Sequence, residues 1–320
     1  MFTFDQPVKL ANHQNDLLTI GEILVDMIAT NYDDSNMNNR LTYEAFFGGS
    51  PSNIAMNTTR LGIRSKIAAA VGDDRLGQFL KDHLIRANID TTLIQTHEAA
   101  TSMVVLSKSK GSPIPIFYRG ADTHLTYTDQ FAQVVNDSKI VHFSCWTLSA
   151  SPVRETIEAI IAHATQSDSL ICFDPNYHPI IWKKDEDAIE YIKTIIAKVD
   201  IVKPSEDDAA RLFGEDLPEA QVQKFINLGA KLVIMTLGKD GAIVSNGTET
   251  MTFASVAEEV VDTTGAGDAF WSGFYTGIVE GLTLKEALQL GFSVSAYKLK
   301  FVGAVADLPH YTALINNTVL

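Results

Sequence analysis

Asp262-Thr263-Thr264-Gly265-Ala266-Gly267-Asp268, continuing into Ala269-Phe270-Trp271-Ser272-Gly273, has the form of a strand end, a tight glycine turn and a helix start. Gly265 and Gly267 leave the backbone bare and free to take positive φ. The first N–H groups of the following helix have no intrahelical partner, and with the helix dipole they form an anion site. Asp268 sits in the same turn, where its charge would repel a bound anion. The acid makes chemical sense if it takes a proton from a hydroxyl attacking a phosphoryl group held by the turn. The bland reading is a helix N-terminus in which Asp268 stabilises the dipole.

Working outward, the 320 residues are 46% hydrophobic and 20% charged, ordinary for a globular α/β chain of one large or two smaller domains. No run reaches the length of a membrane span, and residues 1–20 contain no signal-peptide core. The formal net charge of −14 argues against nucleic acid or an anionic membrane as partner, though not against a nucleotide. Cys145 and Cys172 lie in separate apolar runs and are expected to be buried free thiols of a reducing compartment. These features fit a cytoplasmic protein.

The pattern predicts an irregular, loosely held leader over 1–16 and a buried strand over 17–28, interrupted at Gly21-Glu22. An Asn/Asp-rich loop spans 31–40, a strand 41–47 and a helix 51–61. Further strands are expected at 67–71, 101–107 and 115–118, the last two joined by a turn at 109–113, with a helix at 76–87. Strands at 140–144, 169–174, 200–202 and 231–236 then alternate with helices at 152–165, 186–197, 206–213 and 219–229. A β segment at 241–253 and helices at 267–280 and 284–300 close the chain. Such alternation means a mostly parallel sheet covered on both faces. The strands near 23–47 and 99–122 stand outside it and predict a small separate sheet.

Five more stretches carry candidate chemistry. Gly48-Gly49-Ser50-Pro51-Ser52-Asn53 opens a helix; the glycines admit a ligand, and Asn53 can donate and accept as a sugar hydroxyl requires, unless this is a plain turn. Asp26 in the apolar run 21–26 is costly unless paired or used, for example to accept from two neighbouring hydroxyls. Arg119 in 117–122 is a rigid donor for ligand oxygens or half of a surface ion pair. Thr236-Leu237-Gly238-Lys239-Asp240-Gly241 ends a strand, where ligand loops gather, or makes a hairpin turn. The acids of Lys203-Pro204-Ser205-Glu206-Asp207-Asp208 either hold a hydrated Mg²⁺ or form a helix start, with Ser205 as N-cap and Asp208 at the third helical position.

Taken together, the stretches 48–55 and 262–270 resemble the two signatures of the PfkB, or ribokinase-like, family of sugar kinases, and the likeness spans about residues 18–310. Gly21 to Asp26, 118–122, Phe173-Asp174-Pro175-Asn176-Tyr177 and Thr236 to Gly238 also match. Within the family, fructokinases and 2-keto-3-deoxygluconate kinases are most similar. The resemblance implies one Rossmann-type α/β domain over 1–320, a three-layer sandwich with a mostly parallel central sheet and a small β-sheet lid. It implies ATP, Mg²⁺ and transfer of the γ-phosphoryl group to a terminal hydroxymethyl. By motif position Asp268 would be the base, and the N–H groups of Gly265, Ala266 and Gly267 would hold the transferring phosphate. Asp26, Gly48, Gly49, Asn53, Arg119 and Asn176 would hold the sugar. Ser205, Thr236, Gly238 and Gly241 would line the nucleotide, with Asp208 and Glu206 reaching the metal through water.

His178 stands where an arginine usually follows, which favours a neutral ketose, fructose first, over a sugar acid. Ser205 replaces the asparagine of the usual metal motif. The segment 262–264 resembles a region where some members bind a monovalent cation such as K⁺. Pairing of lids, with Phe46 and Phe47 as contacts, would give a homodimer. The competing expectations are a kinase for 2-keto-3-deoxygluconate, a related sugar acid or a nucleoside, and a catalytically silent sugar-binding protein.

Overall fold

The computed structural model describes residues 2–32, 41–108 and 115–315. The predicted turn at 109–113 and most of the loop 31–40 lie outside the described residues, residues 31 and 32 belonging to a strand. In chain order the strands are β1 (Asn15–Ile20), β2 (Leu24–Tyr32), β3 (Tyr43–Gly48), β4 (Ser65–Gly72), β5 (Ile94–His97), β6 (Met103–Lys108) and β7 (Ile116–Tyr118). There follow β8 (Ser138–Ser144), β9 (Leu170–Asp174), β10 (Ile201–Val202), β11 (Leu232–Thr236), β12 (Ala242–Ser245) and β13 (Thr250–Phe253).

Nine of these form one sheet in the order β13-β12-β11-β10-β9-β8-β1-β4-β5. Pairing is parallel from β11 through to β5, and β12 and β13 are added antiparallel. Such a sheet needs apolar cover on both faces, and the alternation of side chains supplies it. Leu18, Val141, Phe143, Phe173 and Val233 face the helices Val153–Gln166, Ala188–Ile196 and Pro218–Leu228. Their neighbours Leu17, Ile140, Cys172, Ile201 and Leu232 face Trp271, Phe274 and Tyr275 of the helix Ala266–Val279. The architecture is therefore helix–sheet–helix. Each fully buried Leu, Ile or Phe in it contributes on the order of 1.5–3 kcal/mol. Both cysteines are buried free thiols.

The remaining four strands form a small sheet, β3-β2-β6-β7, antiparallel except for the parallel β2–β6 pair. Its strands fall within the two stretches that stood outside the strand–helix alternation.

Several elements depart from the sequence reading, among them the short helices Cys145–Leu148 and Tyr311–Ile315. Residues 2–14 are not a loose leader: Phe4 is buried, and Leu284 and Lys285 donate their N–H groups to the carbonyls of Gln6 and Phe4. β5 is a four-residue edge strand with one buried side chain, too short to show a period. The helix Asp129–Asn136 is also short, although its N-cap Thr128 accepts from Phe131 N–H at 3.2 Å.

The chain winds from β1 outward through β4 and β5, then returns to β8 and continues the other way through β9, β10 and β11. The strand order thus reverses between β1 and β8. In open α/β sheets the crevice beyond the carboxyl ends at such a point receives ligands. Glu22, Trp146, Asp174, Lys203 and Thr236 all lie at or just after those ends.

Candidate active site

The glycine turn forms as the sequence predicts. Gly265 adopts φ 74° at the N-cap of Ala266–Val279. A side chain there would also strike the Ala304 carbonyl, at 2.6 Å. Asp262 fixes the entry by accepting from Thr264 N–H at 2.9 Å and Gly303 N–H at 2.7 Å. Among the described residues the N–H groups of Gly265 and Gly267 find no acceptor, whereas that of Ala266 is engaged by the Thr263 carbonyl at 3.1 Å. The N–H groups of Gly265 and Gly267 are thus left open at the helix start, while that of Ala266 closes the turn.

Asp268 leans away from its own helix towards the helix Ser50–Leu61, so it is no simple dipole cap. Ser50 Oγ donates to its Oδ1 at 2.6 Å and Asn53 Nδ2 to its Oδ2 at 2.9 Å. Burial pushes the Asp268 carboxyl up to about 6, opposed by those two hydrogen bonds. It is still largely ionised at neutral pH and can accept a proton. The amide oxygen of Asn53 is buried with no partner among the described residues, and so is Oε2 of Glu22, whose Oε1 accepts from Ser50 N–H at 3.3 Å. A buried polar atom without a partner calls for an explanation, and in a cavity wall it is a place where water or a ligand can bind.

These groups line a cavity of about 440 Å³, together with Asp26, Gly49, Trp146, Asp174, Asn176, Lys203, Ser205 and Asp208. Burial and the Asp268 carboxylate push Asp26 up to about 6 as well. Gly48 itself lies behind the lining. A Cβ on it would sit 2.3 Å from Asp26 Oδ2, so its bareness lets the carboxylate stand where it does. Gly48→Ala is therefore expected to raise the KM for the acceptor about 10–100-fold, as when a charged hydrogen-bond contact of about 1.5–3 kcal/mol is lost, and to leave kcat nearly unchanged. Steady-state kinetics on the purified variant checks this.

A second cavity, about 540 Å³, holds Thr236, Gly238, Lys239, Gly241, Val256, Val260 and Phe292 in its wall. Thr236, Thr263, Ala266 and Gly267 line both cavities. The two spaces thus meet at the glycine turn, with Asp268 on the side of the first.

Besides Gly48, two predicted residues stand outside both linings. Arg119 is absent from the lining: Nε and Nη2 donate to Asp122 at 2.9 and 2.5 Å, and Nη1 to Ser149 at 2.5 Å. Asp122 also accepts from Trp146 Nε1 at 2.6 Å, so the ion pair fixes the indole that does line the cavity. Glu206 is exposed and outside the lining. Ser205 and Asp208 form a capping box, and Asp208 further accepts from Tyr177 N–H at 2.7 Å. His178 packs edge-on to Phe117 of the small sheet, outside the cavity. Among the described residues no three His, Cys, Asp or Glu side chains converge as a metal site.

Sequence reasoning gave no role to Ser50, Glu22, Trp146, Asp174 or Lys203. Lys203 is buried, its Nζ 3.1 Å from Asp174 Oδ2. It lies 3.5 Å from the point a Cβ on Gly267 would occupy, beside the glycine turn. The signal that could have found it is a lysine directly after an apolar strand, preceding Pro204.

Residues 14–310 match the model of the pfkB family carbohydrate kinases. The chain belongs to that family. Over 309 residues it is 55% identical to the ATP-dependent 6-phosphofructokinase of Thermoanaerobacterium thermosaccharolyticum, covering 97% of this chain and 95% of the relative. The fructokinase of Halothermothrix orenii superposes with a TM-score of 0.78 at 40% identity, over 87% of this chain and 97% of the other. A fructokinase of Vibrio cholerae, solved with fructose, ADP and a calcium ion, gives 0.80 at 26% identity, over 94% and 97%. The PfkB chain described here is thus a carbohydrate kinase of ribokinase-like fold, with a large mostly parallel sheet and a small one beside it. Among its described residues no helix is long and apolar enough to cross a membrane.

Proposed function

We propose that this PfkB kinase phosphorylates the terminal hydroxymethyl group of a ketohexose with ATP, converting fructose to fructose 6-phosphate. The observation that carries the proposal is the position of Asp268, half-buried where two cavities meet beside the unpartnered N–H groups of Gly265 and Gly267. The sugar occupies the cavity lined by Asp26, Asn53 and Asn176, with Trp146 as its apolar wall. The nucleotide lies along Thr236, Gly238 and Gly241. Asp268 removes the hydroxyl proton as that oxygen attacks the γ-phosphorus in line, and the bond from phosphorus to the ADP oxygen breaks. Gly265 and Gly267 donate to the phosphoryl oxygens, and the Lys203 ammonium adds positive charge beside them.

The donor set fits Mg²⁺, which keeps several waters and takes few carboxylates. Asp208 lines the cavity and would hold it through water, with Ser205 alongside. The metal, when bound, neutralises charge on the phosphate oxygens. Glu206, exposed, takes no part.

The acceptor is assigned as unphosphorylated because the lining is rich in acids, and its one basic residue, Lys203, is already paired with Asp174. Fructose 6-phosphate is the second reading, favoured by the 55% identical relative. ADP release with fructose, fructose 6-phosphate, a 2-keto-3-deoxy sugar acid and a nucleoside, each with ATP and Mg²⁺, separates them. The highest kcat/KM is expected with fructose; a preference for fructose 6-phosphate reverses the assignment, and binding without ADP release would mean a silent sugar binder.

Asp26 and Asp268, both pushed up to about 6, give a pH signature. Both must be ionised to work, so kcat/KM is expected to be flat above pH about 7 and to fall as pH drops through about 6, with a limiting slope of two. Asp26→Asn reduces that slope to one.

The two buried thiols support a cytoplasmic location. Ile116 and Tyr118 of the small sheet, each more than half exposed, support lid pairing between two copies.

A further inference from the structure

The turn that carries Asp268 is closed by the segment that leaves the helix Leu284–Lys298. The Leu299 carbonyl accepts from Val261 and Asp262 N–H at 2.8 and 3.3 Å. Ser295 Oγ, one helical turn earlier, donates to the Ala266 carbonyl at 3.0 Å. Into this junction runs Lys298. It is fully buried, and its Nζ donates to the Asp262 carbonyl at 2.9 Å. A lysine without exposed surface is rare unless its charge is used. The Asp262 carboxylate is already engaged by Thr264 and Gly303, so the ammonium rests on a loop carbonyl. Loop carbonyls are also the oxygens with which proteins replace the water around a potassium ion. The acids whose charge reaches Lys298 are Asp262 and Asp268.

A second monovalent cation at this place would have to sit against the ammonium. Two like charges about 4 Å apart repel by about 4 kcal/mol at the effective dielectric of a protein near its surface. The residues present therefore do not fit a bound K⁺ beside 262–264.

We propose that Lys298 is a tethered monovalent cation: its ammonium holds the 262–268 turn in its anion-binding shape, and this kinase needs no potassium. The inference rests on the kinase reading above for its kinetic arm, but not for its melting arm. Lys298 is a positioning residue, since it touches neither substrate nor the reacting atoms.

The test compares wild type and Lys298→Met in tetramethylammonium chloride, with and without KCl at matched ionic strength. Readouts are thermal midpoint, ATP affinity and kcat. Wild type is expected to show no change on adding K⁺. Lys298→Met is expected to lose about 100-fold in kcat, as for a misplacement of about 1 Å, and to recover melting temperature, ATP affinity and turnover when K⁺ or NH₄⁺ is supplied. A wild type stimulated by K⁺ overturns the inference, as does Lys298→Met matching wild type without K⁺. If Lys298→Met fails to fold, the response of wild type to K⁺ still decides. A protein that binds ATP and follows the expected melting pattern but turns over no sugar would sink the sugar-kinase reading and leave this one standing.

Discussion

Asp268→Asn is expected to lower kcat by about 10²–10⁴-fold, the range for loss of a positioned general base, while the KM values for sugar and ATP change little. The substitution keeps the shape of the side chain. One amide oxygen can still accept from Ser50 or Asn53, which hold the native carboxylate at 2.6 and 2.9 Å. What disappears is the proton acceptor. Folding is checked by the thermal midpoint, which should stay near that of wild type or rise, because a half-buried carboxylate is replaced by a neutral group. Turnover near wild type would show that the hydroxyl gives up its proton elsewhere.

The second large effect concerns stability. Lys203→Met is expected to cost about 3–5 kcal/mol, because removing one partner of a buried ion pair strands the other. The stranded group is Asp174, which keeps a hydrogen bond from Trp271 Nε1 at 2.7 Å but loses the ammonium at 3.1 Å. Adding Asp174→Asn to Lys203→Met should restore part of the loss, with a coupling of about 0.5–3 kcal/mol between the sites. Denaturant midpoints of the two single variants and the double variant measure it. A Lys203→Met protein as stable as wild type would mean that water reaches the pair. Catalysis should suffer too, since the ammonium stands beside the glycine turn.

How much of this was legible in the sequence follows from how local each feature is. The helix Glu206–Phe213 was read correctly because Ser205 and Asp208 cap it three residues apart. The glycine turn and the helix start after it were legible because Gly265, Gly267 and Asp268 stand in one stretch. The cluster of Asp174, Lys203 and Trp271 was not legible. Its members come from two strand ends and a helix, and they meet only because β9 and β10 are neighbours over the helix Ala266–Val279. For Arg119 the ion-pair alternative was local and legible, since Asp122 three residues on takes two of its nitrogens; the contact to Ser149, which takes the third, was not. Residues 2–14 looked loose because their order comes from hydrogen bonds to Leu284 and Lys285, far along the chain. Ala266 matched the motif, but its N–H turned inward to Thr263.

On the reading proposed above, a sugar hydroxyl and a phosphoryl donor meet at Asp268. Phosphorus NMR of wild type and Asp268→Asn, each with ATP, Mg²⁺ and fructose, tests it most directly. Wild type is expected to convert the γ-phosphate signal into a phosphomonoester of fructose, with ADP in equal amount, while Asp268→Asn leaves ATP intact over the same time. A fructose phosphomonoester formed equally fast by both proteins, or by neither, would contradict it.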